Sequence, residues 1–182
     1  MNRTRGDKTN QTIVAAASGI CLITAVIAGG CVGYGTYPRS NEVLPTTAVN
    51  SEAGEEITVA AIEWMLDRDE VVPPVVVSLP EIVKPYRAHR ISDKIGRQMI
   101  LPIEGKPLGG YPIYHIGRLA IRGDEAEIDV YRPVFQTEGA DPVYQVITLD
   151  MKGGLKPWRV ERTRPWALGA FDPPPVYTVV DE

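Results

Sequence analysis

The stretch Leu119-Ala-Ile-Arg-Gly-Asp-Glu-Ala-Glu-Ile-Asp-Val130 decides how this chain folds. Gly123-Asp124 suits a two-residue hairpin loop, and the runs on either side alternate apolar and polar residues. Pairing Arg122 with Glu125 sets the register. Ile121 then faces Ala126, Leu119 faces Ile128 and Gly117 faces Val130, while Arg118 meets Asp129 on the opposite face. A slip of one residue would undo both matches at once, apolar on apolar and plus on minus.

A second hairpin follows. Val143 to Met151 forms one arm, Lys152-Gly-Gly-Leu-Lys-Pro157 turns, and Trp158 to Arg164 returns. Setting Met151 opposite Trp158 places Leu149 against Val160 and Asp150 against Arg159. Upstream, Glu52 to Asp67 reads as a helix. Ser51 or Asn50 caps it, and Glu52, Glu55 and Glu56 lie in the first turn, where the helix dipole favours anions. Ile57, Ala61, Trp64 and Met65 recur at helical spacing. The expected core is therefore Leu119, Ile121, Ile128, Val130, Ile147, Leu149, Trp158 and Val160, closed by that helical stripe.

Between helix and meander, residues 71–85 are Val-rich and broken by Pro73, Pro74, Pro80 and Pro85, which suits an edge or irregular extended chain. Tyr86 to Ile95 reads as a short helix. It belongs to a basic cluster of Lys84, Arg87, Arg90, Lys94 and Arg97, expected to be solvated or to pair with an acidic neighbour; contact with anionic lipid is the alternative. Phe171 to Glu182 reads as an extended tail, with Pro173 to Pro175 in a polyproline II piece.

One helix followed by an antiparallel meander is an α+β layout. In element order it resembles the NTF2-like or cystatin-like cones of many exported bacterial proteins. Gly123-Asp124-x-Ala126-x-x-x-Val130-x-Arg132-Pro133, then Val143-Tyr144-Gln145, then Gly153-Gly154-Leu155-x-Pro157-Trp158-Arg159-Val160 resembles uncharacterised bacterial exported, lipoprotein-like envelope proteins. That resemblance covers roughly the last third of the chain and implies no particular activity.

The N-terminus carries the targeting signal. No charged residue occurs from Gln11 to Pro38, and the apolar run from Ile13 to Ala28 stands behind Arg3, Arg5 and Lys8. This asymmetry predicts that the leader stays in the cytoplasm and the rest crosses the membrane. Three readings are open. Ile27-Ala-Gly-Gly-Cys31 resembles a bacterial lipobox, with Ala28 where Leu is usual, and implies diacylation of Cys31. Alternatively the run is an uncleaved transmembrane helix, with Ala17, Cys21, Ala25, Gly29 and Gly33 on one face as a small-residue ridge for helix packing. In the third, Ala28-x-Gly30 is a plain cleavage site. The expected organisation is residues 1–35 as signal or anchor, 36–50 as linker, 51–168 as the domain and 169–182 as a Pro-rich tail.

Composition narrows the function. Lys+Arg 19 against Asp+Glu 23 gives a net charge of -4, and three of those bases lie in the leader. So acidic a domain is a poor nucleic-acid binder. Both cysteines, Cys21 and Cys31, lie in the apolar run, and the only histidines are His89 and His115. No catalytic, cofactor or metal site is expected. Arg-Gly-Asp occurs at residues 5–7 and 122–124; the second copy is explained by the hairpin turn. Asp124, Glu125, Glu127 and Asp129 read as an outer face beside Arg118. His115 falls on the inward face by alternation, and with Tyr114 or Tyr131 it is the best pocket candidate. The expected function is an extracytoplasmic, membrane-anchored module that binds an envelope protein or supports a membrane complex without catalysis; the alternative is a small-ligand pocket protein or an enzyme of NTF2-like type.

Overall fold

A computed structural model describes residues 34–37, 48–69, 73–137 and 140–180. The fold is mixed α+β, two helices on one sheet. Strand β1 is Tyr34–Tyr37, α1 is Glu52–Leu66, β2 is Val75–Ser78, α2 is Pro85–Ile95 and β3 is Met99–Ile100. The meander follows as β4, Ile113–Arg122; β5, Glu125–Val134; β6, Val143–Lys152; and β7, Arg159–Pro165. The strand order is β3-β2-β4-β5-β6-β7, with β1 also paired to β4.

The first hairpin has the expected register at its turn: Arg122 opposes Glu125, Ile121 opposes Ala126 and Leu119 opposes Ile128. It departs further down. An irregularity between Ile116 and Leu119 sets Ile116, not Gly117, opposite Val130. The cause is local. A Cβ on Gly117 would fall 2.6 Å from Cε2 of Tyr131, so the absence of a side chain lets that ring lie over the strand. The second hairpin is also displaced. Met151 opposes Val160, Asp150 opposes Arg162 and Leu149 opposes Thr163, with a bulge between Asp150 and Met151. Trp158 lies before β7, and its ring occupies the space where a side chain on Gly153 would stand.

Ser51 caps α1, its Oγ accepting from the Gly54 amide at 3.0 Å. Ile57, Ala61 and Met65 are buried against Leu119, Ile128, Val130 and Leu149, with Trp64 and Val160 packed partly buried on the same core. The segment expected to be an edge is instead an interior strand. β2 pairs in parallel with both β3 and β4, and Val75, Val76 and Val77 are buried. Pro73, Pro74 and Pro80 flank the strand, so none interrupts its ladder, and the run of valines suits burial on both faces. Helix α2 connects β2 to β3, as a parallel pair requires.

Both ends of the domain are more ordered than the sequence suggests. β1 pairs antiparallel with β4, Tyr34 opposite Arg122 and Tyr37 opposite Leu119, so the expected linker from 36 begins inside the sheet. Residues 48–50 form a 3-10 turn, Ala48–Asn50. The expected extended tail is a strap held against the domain. The Trp166 amide donates to the Val146 carbonyl, the Tyr177 amide to Ser78 Oγ at 3.1 Å, and the Val179 amide to the Pro102 carbonyl at 2.7 Å. Val76 and Ser78 point away from the helices and are nevertheless buried, where the strap crosses them. Among the described residues no helix is long and apolar enough to cross a membrane.

Adjacent residues of β5 test this layering. In the unit Gly33–Glu182, Ile128→Ala is expected to cost about 2–5 kcal/mol, since its side chain is fully buried. Glu127→Ala, on the half-exposed face, is expected to cost less than about 1 kcal/mol. Urea melts of the two variants give the comparison.

Candidate functional site

The three side chains expected to share a pocket are divided between the two faces of the sheet. Leu119 and Ile121 face the helices, and without an irregularity His115 would join them. The bulge at Gly117 and Arg118 reverses the alternation, so Tyr114 and Ile116 join the core and His115 turns to the strap side. Tyr131, the register partner of His115, lies on that side too. His115 is therefore corrected from an inward pocket residue to a buried residue of the back layer.

His115 is 2% exposed, and neither ring nitrogen has a protein partner. Its ring meets Tyr144 edge-on at 5.2 Å between centroids. Burial lowers its pKa from 6.5 to about 4, so the imidazole is neutral at pH 7 and packs as an aromatic ring. Tyr114 does different work. Its hydroxyl donates to Asp69 Oδ2 at 2.6 Å, and burial, together with that carboxylate, raises its pKa far above the usual phenol range. Arg132 Nη1 donates to the other Asp69 oxygen at 2.6 Å, while its Nε and Nη2 donate to Gln145 Oε1. Gln145 in turn donates to the Trp166 carbonyl. This chain of bonds joins the end of α1 to β4, β5, β6 and the start of the strap.

A second constellation was only half legible. Glu55 was expected to serve the helix dipole; it is fully buried and receives Arg87, Arg90 at 3.2 Å and Lys94 at 2.7 Å. Burial alone would raise its pKa, but Lys94 and Arg87 outweigh that and hold it below the usual carboxylate range. The basic cluster of α2 thus pairs with the acidic helix, as one reading of the sequence had it. The missing signal was burial: nothing in the spacing of Glu52, Glu55 and Glu56 singles out the middle one.

On the back of the meander, Arg118 binds Glu127 at 2.6 Å and Asp129 at 3.2 Å, and Arg164 bridges Glu127 and Asp150. The carboxylates expected on an outer face are there and are paired. Among the described residues no group of three or more His, Cys, Asp or Glu is placed to hold a metal. A groove of about 410 Å³ lies between α1 and the turn after β6, where Glu56, Glu63 and Lys94 face Lys156 and Trp158.

At one end of the sheet, Trp166, Leu168 and Phe171 are exposed, with the Trp166 and Phe171 rings edge-to-face at 5.4 Å. The indole N–H donates to Thr148 Oγ1 at 3.0 Å, and the Gly169 amide donates to the Tyr144 carbonyl, which fixes this corner to β6. Phe135, exposed just after β5, lies at the same end. Alternation could not find this cluster, because it depends on where the strap turns. Cys31 and the ridge of Ala17, Cys21, Ala25, Gly29 and Gly33 lie outside the described residues. No family model, no curated protein and no solved structure matches this chain.

Two measurements test these assignments. His115 has a lowered folded pKa, so its neutral form supports the fold fully above pH 6.5 and that support is lost as pH falls toward 4. Between pH 7 and pH 5 this amounts to about 2 kcal/mol. His115→Phe is expected to remove that part of the pH dependence in urea melts while leaving the carboxylate part. Glu55→Gln leaves Arg87 buried beside a neutral partner and is expected to cost about 3–5 kcal/mol at pH 7 by the same assay.

Proposed function

We propose that this chain is a membrane-anchored protein of the bacterial cell envelope. Its domain lies outside the cytoplasm and binds a protein partner without catalysis. The observation that carries the binding part is the ordered, exposed corner of Trp166, Leu168 and Phe171. Aromatic side chains held in place at a surface give large contact area at low entropic cost, which is why they are enriched at protein interfaces. The anchor part rests on the uncharged run behind a basic leader, with Cys31 as the lipidated residue or the run itself as the helix. An NTF2-like or cystatin-like cone is part of the proposal. α1 lying across the β4–β7 meander supports it, and the parallel β2 and β3 are its departure from a simple cone.

The groove beneath α1 favours a second reading, a small-ligand pocket. Its mixed charge, Glu56 and Glu63 with Lys94 and Lys156, suits a polar ligand carrying both signs.

A phosphatase active only after export, fused behind Glu182, is expected to be active; an inactive fusion beside an active cytoplasmic reporter would overturn the location. Leu168→Glu with Phe171→Glu is expected to leave the melting temperature within a few degrees and to abolish photo-cross-links that position 170 makes to a protein partner in cells. If the unsubstituted protein gives no such cross-link, the binding reading fails.

A further inference from the structure

We infer that the strap between Gly169 and Tyr177 is an acid-released latch, and that His115, sealed beneath it, is the group whose protonation opens it.

The strap's two ties place it over the histidine. On β6, the Val146 and Tyr144 carbonyls accept from the Trp166 and Gly169 amides, each at 2.9 Å. On β2, Ser78 Oγ accepts from the Tyr177 amide at 3.1 Å. Strands β4 and β5 lie between those two. The crossing is three strand spacings, about 14 Å. Eight residue steps from Gly169 to Tyr177 reach up to about 28 Å, so the chain spans it with slack. His115 stands in the middle of the crossing, as register partner of Ser78 on one side and of Tyr131 on the other. It lies on the face opposite the helices, and the strap accounts for its exposure of only 2%.

Protonation has no place in this closed arrangement. Neither ring nitrogen has a protein partner. A neutral imidazole leaves one donor and one acceptor unmatched; an imidazolium would bury a full charge with two donors and no acceptor. The surrounding groups do not compensate. β2 brings Val76 and Ser78, which carry no charge. β5 brings Tyr131 and, two residues along, Asp129, which is already engaged by Arg118 of β4 and by the Thr148 hydroxyl. β6 brings Tyr144. Burial raises the pKa of both phenols, so they stay neutral. The strap itself brings Tyr177 and the exposed Asp172, which makes no ion pair among the described residues. Glu104, exposed, lies further along, where its amide donates to the Val179 carbonyl at 3.1 Å. An imidazolium at position 115 therefore gains hydration only when its cover lifts.

The strap is the part that can yield. β4 and β5 are held by their ladders and by the core. Among the described residues, no backbone hydrogen bond ties residues 171–176 to the sheet. Three of those six are Pro173, Pro174 and Pro175, which have no N–H to give. Opening uncovers Val76 and Val146, buried apolar side chains of the back layer, and so presents a new apolar surface.

The sign and size follow from linkage. Burial lowers the His115 pKa from 6.5 to about 4. The closed strap is therefore fully favoured above pH 6.5 and loses that advantage as pH falls toward 4. Between pH 7 and pH 4.5 the opening constant rises about fiftyfold.

The test is hydrogen–deuterium exchange on the full chain in detergent micelles, with rates corrected for the intrinsic effect of pH. A fragment covering residues 175–180 is expected to lose protection at least about tenfold between pH 7 and pH 4.5, while a fragment around Leu149 keeps its own. The ring-nitrogen NMR titration of His115 is expected to share the midpoint of that loss. His115→Gln and His115→Phe carry no charge at either pH and are expected to hold the strap's protection constant across the range. Unchanged strap protection in the unsubstituted chain overturns the latch. Parallel loss at Leu149 overturns it too, because the domain is then unfolding as a whole. Variants that open as readily as the unsubstituted chain assign the effect to another group, such as Asp172, and overturn the role of His115. If neither variant folds, the ring titration decides: a midpoint apart from that of strap opening overturns the proposal.

Discussion

The fold turns on one missing side chain. Gly117 leaves room for the Tyr131 ring, and the bulge beside it divides β4 into two strands in one. The half before the bulge pairs in parallel with β2 and gives Tyr114 and Ile116 to the helices. The half after it pairs antiparallel with β1 and gives Leu119 and Ile121 to the same core. A regular strand could not do both, because its period of two would turn one half's apolar residues outward. The back layer follows from the same break, since it is the bulge that turns His115 toward Tyr144 and away from α1.

Side chains of the two layers are tied by opposite kinds of chemistry. On the helical side, burial of aliphatic groups dominates, and Glu55 with its three cations is a polar inclusion that fixes α2 against α1. Such an inclusion adds little net stability over a packed apolar pair, yet removing one partner is costly because it leaves the other charge buried and uncompensated. On the back, Arg118, Glu127, Arg164 and Asp150 form a ladder of half-exposed pairs that contributes modestly and keeps the face wet. The strap covers the other half of that face, over β2.

Local pattern carried the sequence reading wherever neighbours in the chain are neighbours in space. The Gly123-Asp124 turn, the cap at Ser51 and the stripe of Ile57, Ala61 and Met65 are of this kind. The errors fall where distant residues decide. β2 looked like an edge because its prolines are visible and its partners, β3 and β4, are not. The register of β7 shifted because a bulge at Asp150 and Met151 and the ring of Trp158 take up residues that simple alternation assigned to the ladder. The candidate pocket dissolved for a similar reason: alternation is reliable only until the first irregularity, and Tyr131, the ring for which Gly117 leaves room, lies fourteen positions further on. The aromatic corner was illegible because Trp166, Leu168 and Phe171 share no period; the hydrogen bonds of Trp166 and Gly169 to β6 define it.

The strap sets a clock for biogenesis. Ser78 meets its partner, the amide of Tyr177, across a separation of 99 residues. Until the ribosome has delivered that late segment, the back of β2 stands uncovered and the sheet is incomplete on one side. Contacts so far apart in sequence also make closure slow relative to the local hairpins.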